Sequence, residues 1–389
     1  MVCALGLNRQ GVQVTVLEQE PAPVEDQRAA SLHPPTIEML DRLGIAERIL
    51  PLGLVSHVYH FRDRITGDLV AEFDLRRLSD EVPFPFVLQY EQYKLTGDIA
   101  RQFGNESDFD VRFGRRVVSI ETRADDVLVV AEGPDGLERH QASYLVGADG
   151  GRSSVRKAAD IAFEGFTYPE FFIKIATTFD FAAQGHALAL RNYFSDPDEW
   201  CNLFKVRGKR DPGLWRAIFP TRIGETEASA LTPDAIEARL QKFFPKDGRY
   251  EIEYVNLYSV SQRVAATFRK GRVLLVGDAA HVNNPIGGMG MNGGIHDAVN
   301  LAEKLADVWF GRAEATVFDR YTRQRHKAQT DFVQAQTIQN KRALEEKDPV
   351  IRRRHLDELR RTSEDVKLHK QFLYRSGLFD SLRIANAVE

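Results

Sequence analysis

Residues 277–305 read GDAAHVNNPIGGMGMNGGIHDAVNLAEKL. An apolar strand over 273–276 runs into Gly277 and Asp278, which puts the Asp278 carboxylate at the carboxyl end of a strand, where open α/β sheets bind their ligands. Gly287, Gly288, Gly290, Gly293 and Gly294 follow, a backbone able to approach a ligand closely. The spacing predicts a long helix over about 293–310, whose free amides and positive dipole end face the same place. So much glycine costs conformational entropy in a loop that binds nothing. A ring system that gains negative charge on reduction suits this site.

The first residues, MVCALGLNRQGVQVTVLEQEP, read as an apolar helix stopped near Gly11 and a strand in which Val12, Val14 and Val16 alternate with Gln13 and Thr15 up to Glu18. This is the second half of a dinucleotide-binding βαβ unit, and the strand and GxGxxG turn of its first half are not among these residues. Further along, a helix over 35–43 stops at Gly44, and strands over 58–75 turn at Thr66-Gly67. A meander of short strands spans 110–149, and an aromatic-rich, mostly antiparallel lobe with one helix spans about 163–258. The last segment is helical, with Phe318, Tyr321, Ala328, Phe332, Ala335 and Ile338 on one buried stripe.

A length of 389 residues allows two domains, or one large core with an inserted lobe. The apolar runs are too short to cross a bilayer, and a net charge of -4 gives no reason to expect nucleic acid. Cys3 and Cys201 are too few for a disulfide framework or a thiolate metal site, which fits a cytoplasmic protein. His57 and His60 lack the partners of a metal site, and no Ser/His/Asp set or carboxylate pair stands out as catalytic. The basic runs at 269–272 and 351–361 read as solvated faces, and His281 as an organiser of its loop.

A second block, YLVGADGGRSSVRK at 144–157, ends a strand at Asp149 and turns at Gly150 and Gly151. Together the two blocks resemble those of the FAD-dependent aromatic hydroxylases, single-component flavoprotein monooxygenases of the para-hydroxybenzoate hydroxylase type. The resemblance implies that Asp278 contacts the ribityl chain of FAD and that Pro285, Gly287, Gly288, Gly290, Met291 and Asn292 form the loop against the isoalloxazine. It implies further that Asp149 serves both FAD and the pyrophosphate of NAD(P)H, Glu18 the adenosine ribose, Arg28 the FAD pyrophosphate, and Gln89 the flavin's sugar chain. The implied fold is α/β: a Rossmann-like FAD/NAD(P)-binding domain (1–57, 89–160 and 262–320) interleaved with a mostly antiparallel substrate-binding sheet (58–88 and 161–261), then a C-terminal helical region (321–389).

The implied reaction is hydroxylation of a phenolic or other aromatic compound by FAD, NADH or NADPH, and dioxygen, through a C4a-hydroperoxide of the flavin. No side-chain nucleophile and no metal are called for. The implied partners are a small aromatic substrate and dioxygen, with a homodimer allowed. Arg191, Tyr193, Trp200 and Trp215 could line the substrate pocket or fill the core of the lobe. Two alternatives stand beside this reading: a truncated, non-catalytic remnant unable to retain FAD, and the same scaffold oxidising a non-aromatic ring.

Overall fold

The computed structural model of the chain describes residues 1–25, 27–106, 108–184, 187–209 and 212–389. The opening helix, Val2–Asn8, buries Cys3, Ala4, Leu5 and Leu7, and Gly11 takes a φ of 81° that lets the chain reverse into the strand Val14–Leu17. That strand pairs in parallel with Phe109–Arg112, as Leu145–Gly147 does with Val273–Leu275. Parallel strands flanked by helices make the Rossmann-like part of an α/β fold. The opening helix packs on the long helix Met289–Trp309 at Gly6, where a Cβ would stand 2.9 Å from Ala302 Cβ.

A mixed sheet of eight strands forms the second layer. From one edge its order is His281–Val282, Ile252–Ala265, Phe163–Thr177, Leu214–Pro220, Cys201–Val206, Arg191–Ser195, Val58–Asp63 and Leu69–Asp74. All neighbours are antiparallel except Arg191–Ser195 with Val58–Asp63. The last two strands come from early in the chain, so the sheet and the Rossmann-like part interleave. Strand alternation divides the sheet's faces. Ile173, Ile175, Trp215, Ala217 and Phe219 pack with Ile236 and Leu240 of the helix Pro233–Phe243, while Phe172, Tyr193 and Ile218 face the other way.

Three elements depart from the sequence expectations. The antiparallel meander is confined to Arg116–Thr122, Val127–Gly133 and Gly136–Ala142, because the strands on either side of it find parallel partners. The long helix starts at Met289, four residues earlier than glycine content suggests, since Gly288 ends the loop at a φ of 70° and the next glycines are helical. The buried stripe of the C-terminal helices slips after Ala328: Ala335 is exposed, and Val333 and Thr337 are buried instead. A π-helical segment, Ala328–Gln334, accounts for the slip, because i→i+5 bonding adds a residue to the turn and rotates every later side chain.

The helix Pro349–Glu364 buries no residue, as its basic run predicts, except that Arg352 reaches the sheet, pairing with Asp63 at 2.7 Å. Among the described residues no helix is long and apolar enough to cross a membrane. Replacing Gly6 by valine should cost about 1–3 kcal/mol of stability through overpacking against Ala302. Thermal unfolding measures this, and an unchanged melting temperature would contradict so close a helix contact.

Candidate active site

The Asp278 block is held from behind by Asp297 on the long helix. Its Oδ2 accepts from Gly277 N (3.1 Å) and from His281 Nε2 (2.6 Å), and its Oδ1 from Arg325 Nε (2.6 Å), all within the core. Burial alone would raise the Asp297 carboxyl, but the charges and hydrogen bonds of His281 and Arg325 outweigh it and hold the group at about 2. His281 therefore sits behind the loop as an organiser. Gly294 lets the helix meet the strand end, since a Cβ there would lie 3.1 Å from Gly277 Cα. Asp278 itself is exposed, and partial desolvation beside the strand end outweighs the opposing charges of His281 and Arg28 and raises its carboxyl above the ordinary value.

The Asp149 block is wired to the same place. The Asp149 carboxylate accepts from the backbone of Ser154 (2.7 Å) and Val155 (3.0 Å), capping the short helix Ser154–Ala158. From that helix, buried Arg156 donates to Gly151 O and to Ala279 O, both at 2.9 Å, and lies 3.8 Å over the Phe163 ring. One guanidinium thus ties the two blocks to each other and to the eight-stranded sheet.

The glycine loop is fastened by amides. Asn292 Oδ1 accepts from His33 N (2.8 Å), and its Nδ2 donates to Ser31 O (2.8 Å) and Gly288 O (2.6 Å), so the fully buried side chain joins residues 31–33 to the helix start. Gln89, also fully buried, accepts from the Ser31 hydroxyl on the neighbouring strand. Gly287 and Gly288 carry φ values of 102° and 70°, which non-glycine residues rarely adopt. Gly290 and Met291 fall in the first turn of the helix, and Pro285 in the loop before it. Arg28 is exposed, and its carbonyl accepts from Lys174 Nζ at 3.3 Å. Glu18 closes the strand Val14–Leu17 and takes the Glu20 amide at 3.0 Å.

These residues suit a flavin dinucleotide. A helix start offers main-chain amides and a positive dipole end to an anionic group, and the glycines before it hold positive φ; a Cβ at Gly287 would stand 2.9 Å from Asn340 Nδ2. Arg28 and Asp278, near enough to feel each other's charge, supply a cation for phosphate and an acceptor for hydroxyls.

Gly287 and Met289 are also walls of a pocket between the sheet and the C-terminal helices, with Tyr59, Tyr193, Arg191 and His33 among its other linings. Of the four residues considered for the pocket, Arg191 and Tyr193 line it, and Trp200 and Trp215 fill the cores on the two faces of the sheet. Neither His33 nor the Asp297–Arg325 pair was foreseen from sequence. The only local sign was a carboxylate among the apolar positions of a helix, at Asp297 beside Ile295 and Ala298.

Comparison with known proteins follows the same lines. A family model described as FAD binding domain matches residues 1–336. The para-nitrophenol 4-monooxygenase of Pseudomonas sp. strain WBC-3 is 31% identical over 375 residues, which is 96% of this chain and 91% of that enzyme. The 6-hydroxy-3-succinoylpyridine 3-monooxygenase of Pseudomonas putida strain S16 is 30% identical over 358 residues, covering 90% of this chain and 87% of the enzyme. The crystal structure of p-nitrophenol 4-monooxygenase from Pseudomonas putida DLL-E4 superposes with a TM-score of 0.91 at 30% identity, over 98% of this chain and 94% of that one.

Asp297→Asn should lower stability by about 3–5 kcal/mol, because it leaves Arg325 buried without its counter-charge. Since the folded carboxyl lies at about 2, below its ordinary value of 3.8, its contribution is complete above that value and is lost as pH falls from 3.8 towards 2. Unfolding followed across that range should show a flatter acid limb in the variant than in the parent.

Proposed function

The chain belongs to the FAD binding domain family, and on that premise we propose that it is an FAD-dependent monooxygenase that hydroxylates a small phenolic or heteroaromatic compound with NAD(P)H and dioxygen. The observation that carries the reading is a shared wall: the glycine loop suited to the flavin ring supplies Gly287 and Met289 to an aromatic-lined pocket. A substrate held there would stand beside the cofactor. FAD, once reduced, supplies the activation of dioxygen, one atom of which enters the substrate while the other leaves as water.

The protein's part is placement. In this reading Glu18 takes the ribose of the adenosine half, Arg28 the pyrophosphate and Asp278 the ribityl chain, while buried Gln89 fixes Ser31 beside the glycine loop and Asp149 keeps the nearby turn in shape by capping its helix. The amides at the start of Met289–Trp309 and the dipole behind them stabilise negative charge where the ring would lie. Tyr59, Phe61, Leu75 and Phe372 present an apolar surface that excludes water from the reacting face. Two unpaired, buried cysteines and a reduced nicotinamide substrate are at home in a reducing cytoplasm.

The test is turnover by the flavin-loaded protein. NADH or NADPH oxidation should rise at least tenfold on addition of p-nitrophenol or a hydroxypyridine, with one labelled oxygen atom from ¹⁸O₂ in the product. A fully flavin-loaded protein that shows neither stimulation nor labelled product with a panel of such compounds overturns the proposal. Asp278→Ala should weaken FAD retention about tenfold or more, measured as bound flavin after gel filtration.

A further inference from the structure

We propose that the pocket beside Gly287 selects an aromatic ligand bearing one anionic oxygen, and that Arg191 is the group that receives it. The inference rests on the monooxygenase reading above and names its substrate class. Arg191 projects from the strand Arg191–Ser195 and is only 4% exposed. One Nη donates to Tyr193 Oη at 2.9 Å, and the guanidinium lies 5.1 Å from the centroid of the Tyr59 ring. Its Nε is buried with no acceptor, and no carboxylate among the described residues pairs with it. A guanidinium taken out of water without a counter-charge is costly, and an anion entering the pocket supplies the missing partner.

The rest of the lining sharpens the choice. Ser376 is already bonded to Tyr59 Oη (3.0 Å), and Asn340 donates to Ile286 O (3.3 Å). The unpaired Gln336 Oε1 is an acceptor and repels an anion. That leaves His33, 2% exposed, with both ring nitrogens unpartnered. Burial and then the charge of Arg191 lower His33 to about 3, outweighing the nearby Gly287 backbone, so at neutral pH it brings hydrogen bonding but no second positive charge. One fixed cation in a pocket otherwise neutral and largely apolar favours a singly charged ligand, and the low dielectric of such walls strengthens the preference. A phenolate and an aromatic carboxylate share this chemistry.

Binding to the FAD-loaded protein is followed by perturbation of the flavin spectrum, without NAD(P)H. The probes are 4-nitrophenolate against 4-nitroanisole, and benzoate against benzamide. The anion of at least one pair should bind at least tenfold more tightly than its neutral partner, and the pair that discriminates tells phenolate from carboxylate. Arg191→Met should abolish the preference, and Arg191→Lys should keep part of it. Equal binding within both pairs, or a preference that survives in Arg191→Met, overturns the inference. If Arg191→Met does not fold, the parent protein and Arg191→Lys decide: absence of charge selection in the parent, or selection undiminished in Arg191→Lys, rejects the inference. A parent protein that discriminates between these ligands yet hydroxylates no aromatic compound rejects the monooxygenase reading, whereas one that hydroxylates without charge preference rejects only the role of Arg191.

Discussion

The buried carboxylate of Asp297 ties the turn from Gly277 to His281, just past a strand end, to its own helix and to the helix carrying Arg325. The glycine loop runs between two of its attachment points, because His281 precedes the loop and Asp297 lies two turns into the helix that follows it. With Asp297, His281 and Arg325 all buried, each partner has to be present, since a carboxylate or guanidinium left alone there is heavily penalised. The loop is therefore held at both ends by a single charge. Its own residues are left free to be glycine, with Gly287 and Gly288 at φ values of 102° and 70°.

The same economy recurs around the site. Arg156 joins the turn at Gly151 to Ala279 and stacks on Phe163, so the second motif is braced against the first. Asn292 uses its whole amide on backbone groups of Ser31, His33 and Gly288. Arg156 and Asn292 act as scaffold, fixing the backbone of the two motifs. The pocket is closed on its far side by C-terminal helices, which are fixed to the sheet through Arg352 with Asp63 and through Lys341 with Glu170 at 2.7 Å. The π-helical turn at Ala328–Gln334 sets the rotation of the helix that follows it, and so brings Gln336 and Asn340 to the pocket wall.

Much of the architecture was legible in the residues. The opening helix and strand, the helix ended by Gly44, the hairpin at Thr66-Gly67 and the strand leading to Asp278 all carry local signals of periodicity or turn chemistry, and all are present. Local signals misplaced the start of Met289–Trp309, because glycines at 290, 293 and 294 read as loop when they are helical, with 293 and 294 packed closely against Gln329 and Gly277. They also misread the face of the last helices, since a single extra residue in a π turn leaves no mark in the hydrophobic pattern.

The sequence by itself determined the family chemistry: a strand-end aspartate and a glycine-rich helix start, with a second Asp-Gly turn, are recognisable wherever the chain places them. Only the tertiary structure decided which polar residues spend their hydrogen bonds within the fold and which reach the pocket with atoms unpartnered. Asp149 and Asn292 are absorbed by hydrogen bonds within the fold, while Arg191 Nε and both ring nitrogens of His33, with no motif to mark them, are left without partners at one pocket. The reason is physical. Whether a buried polar group is satisfied depends on partners brought together from remote parts of the chain, and that accounting closes only when the strands and helices have met.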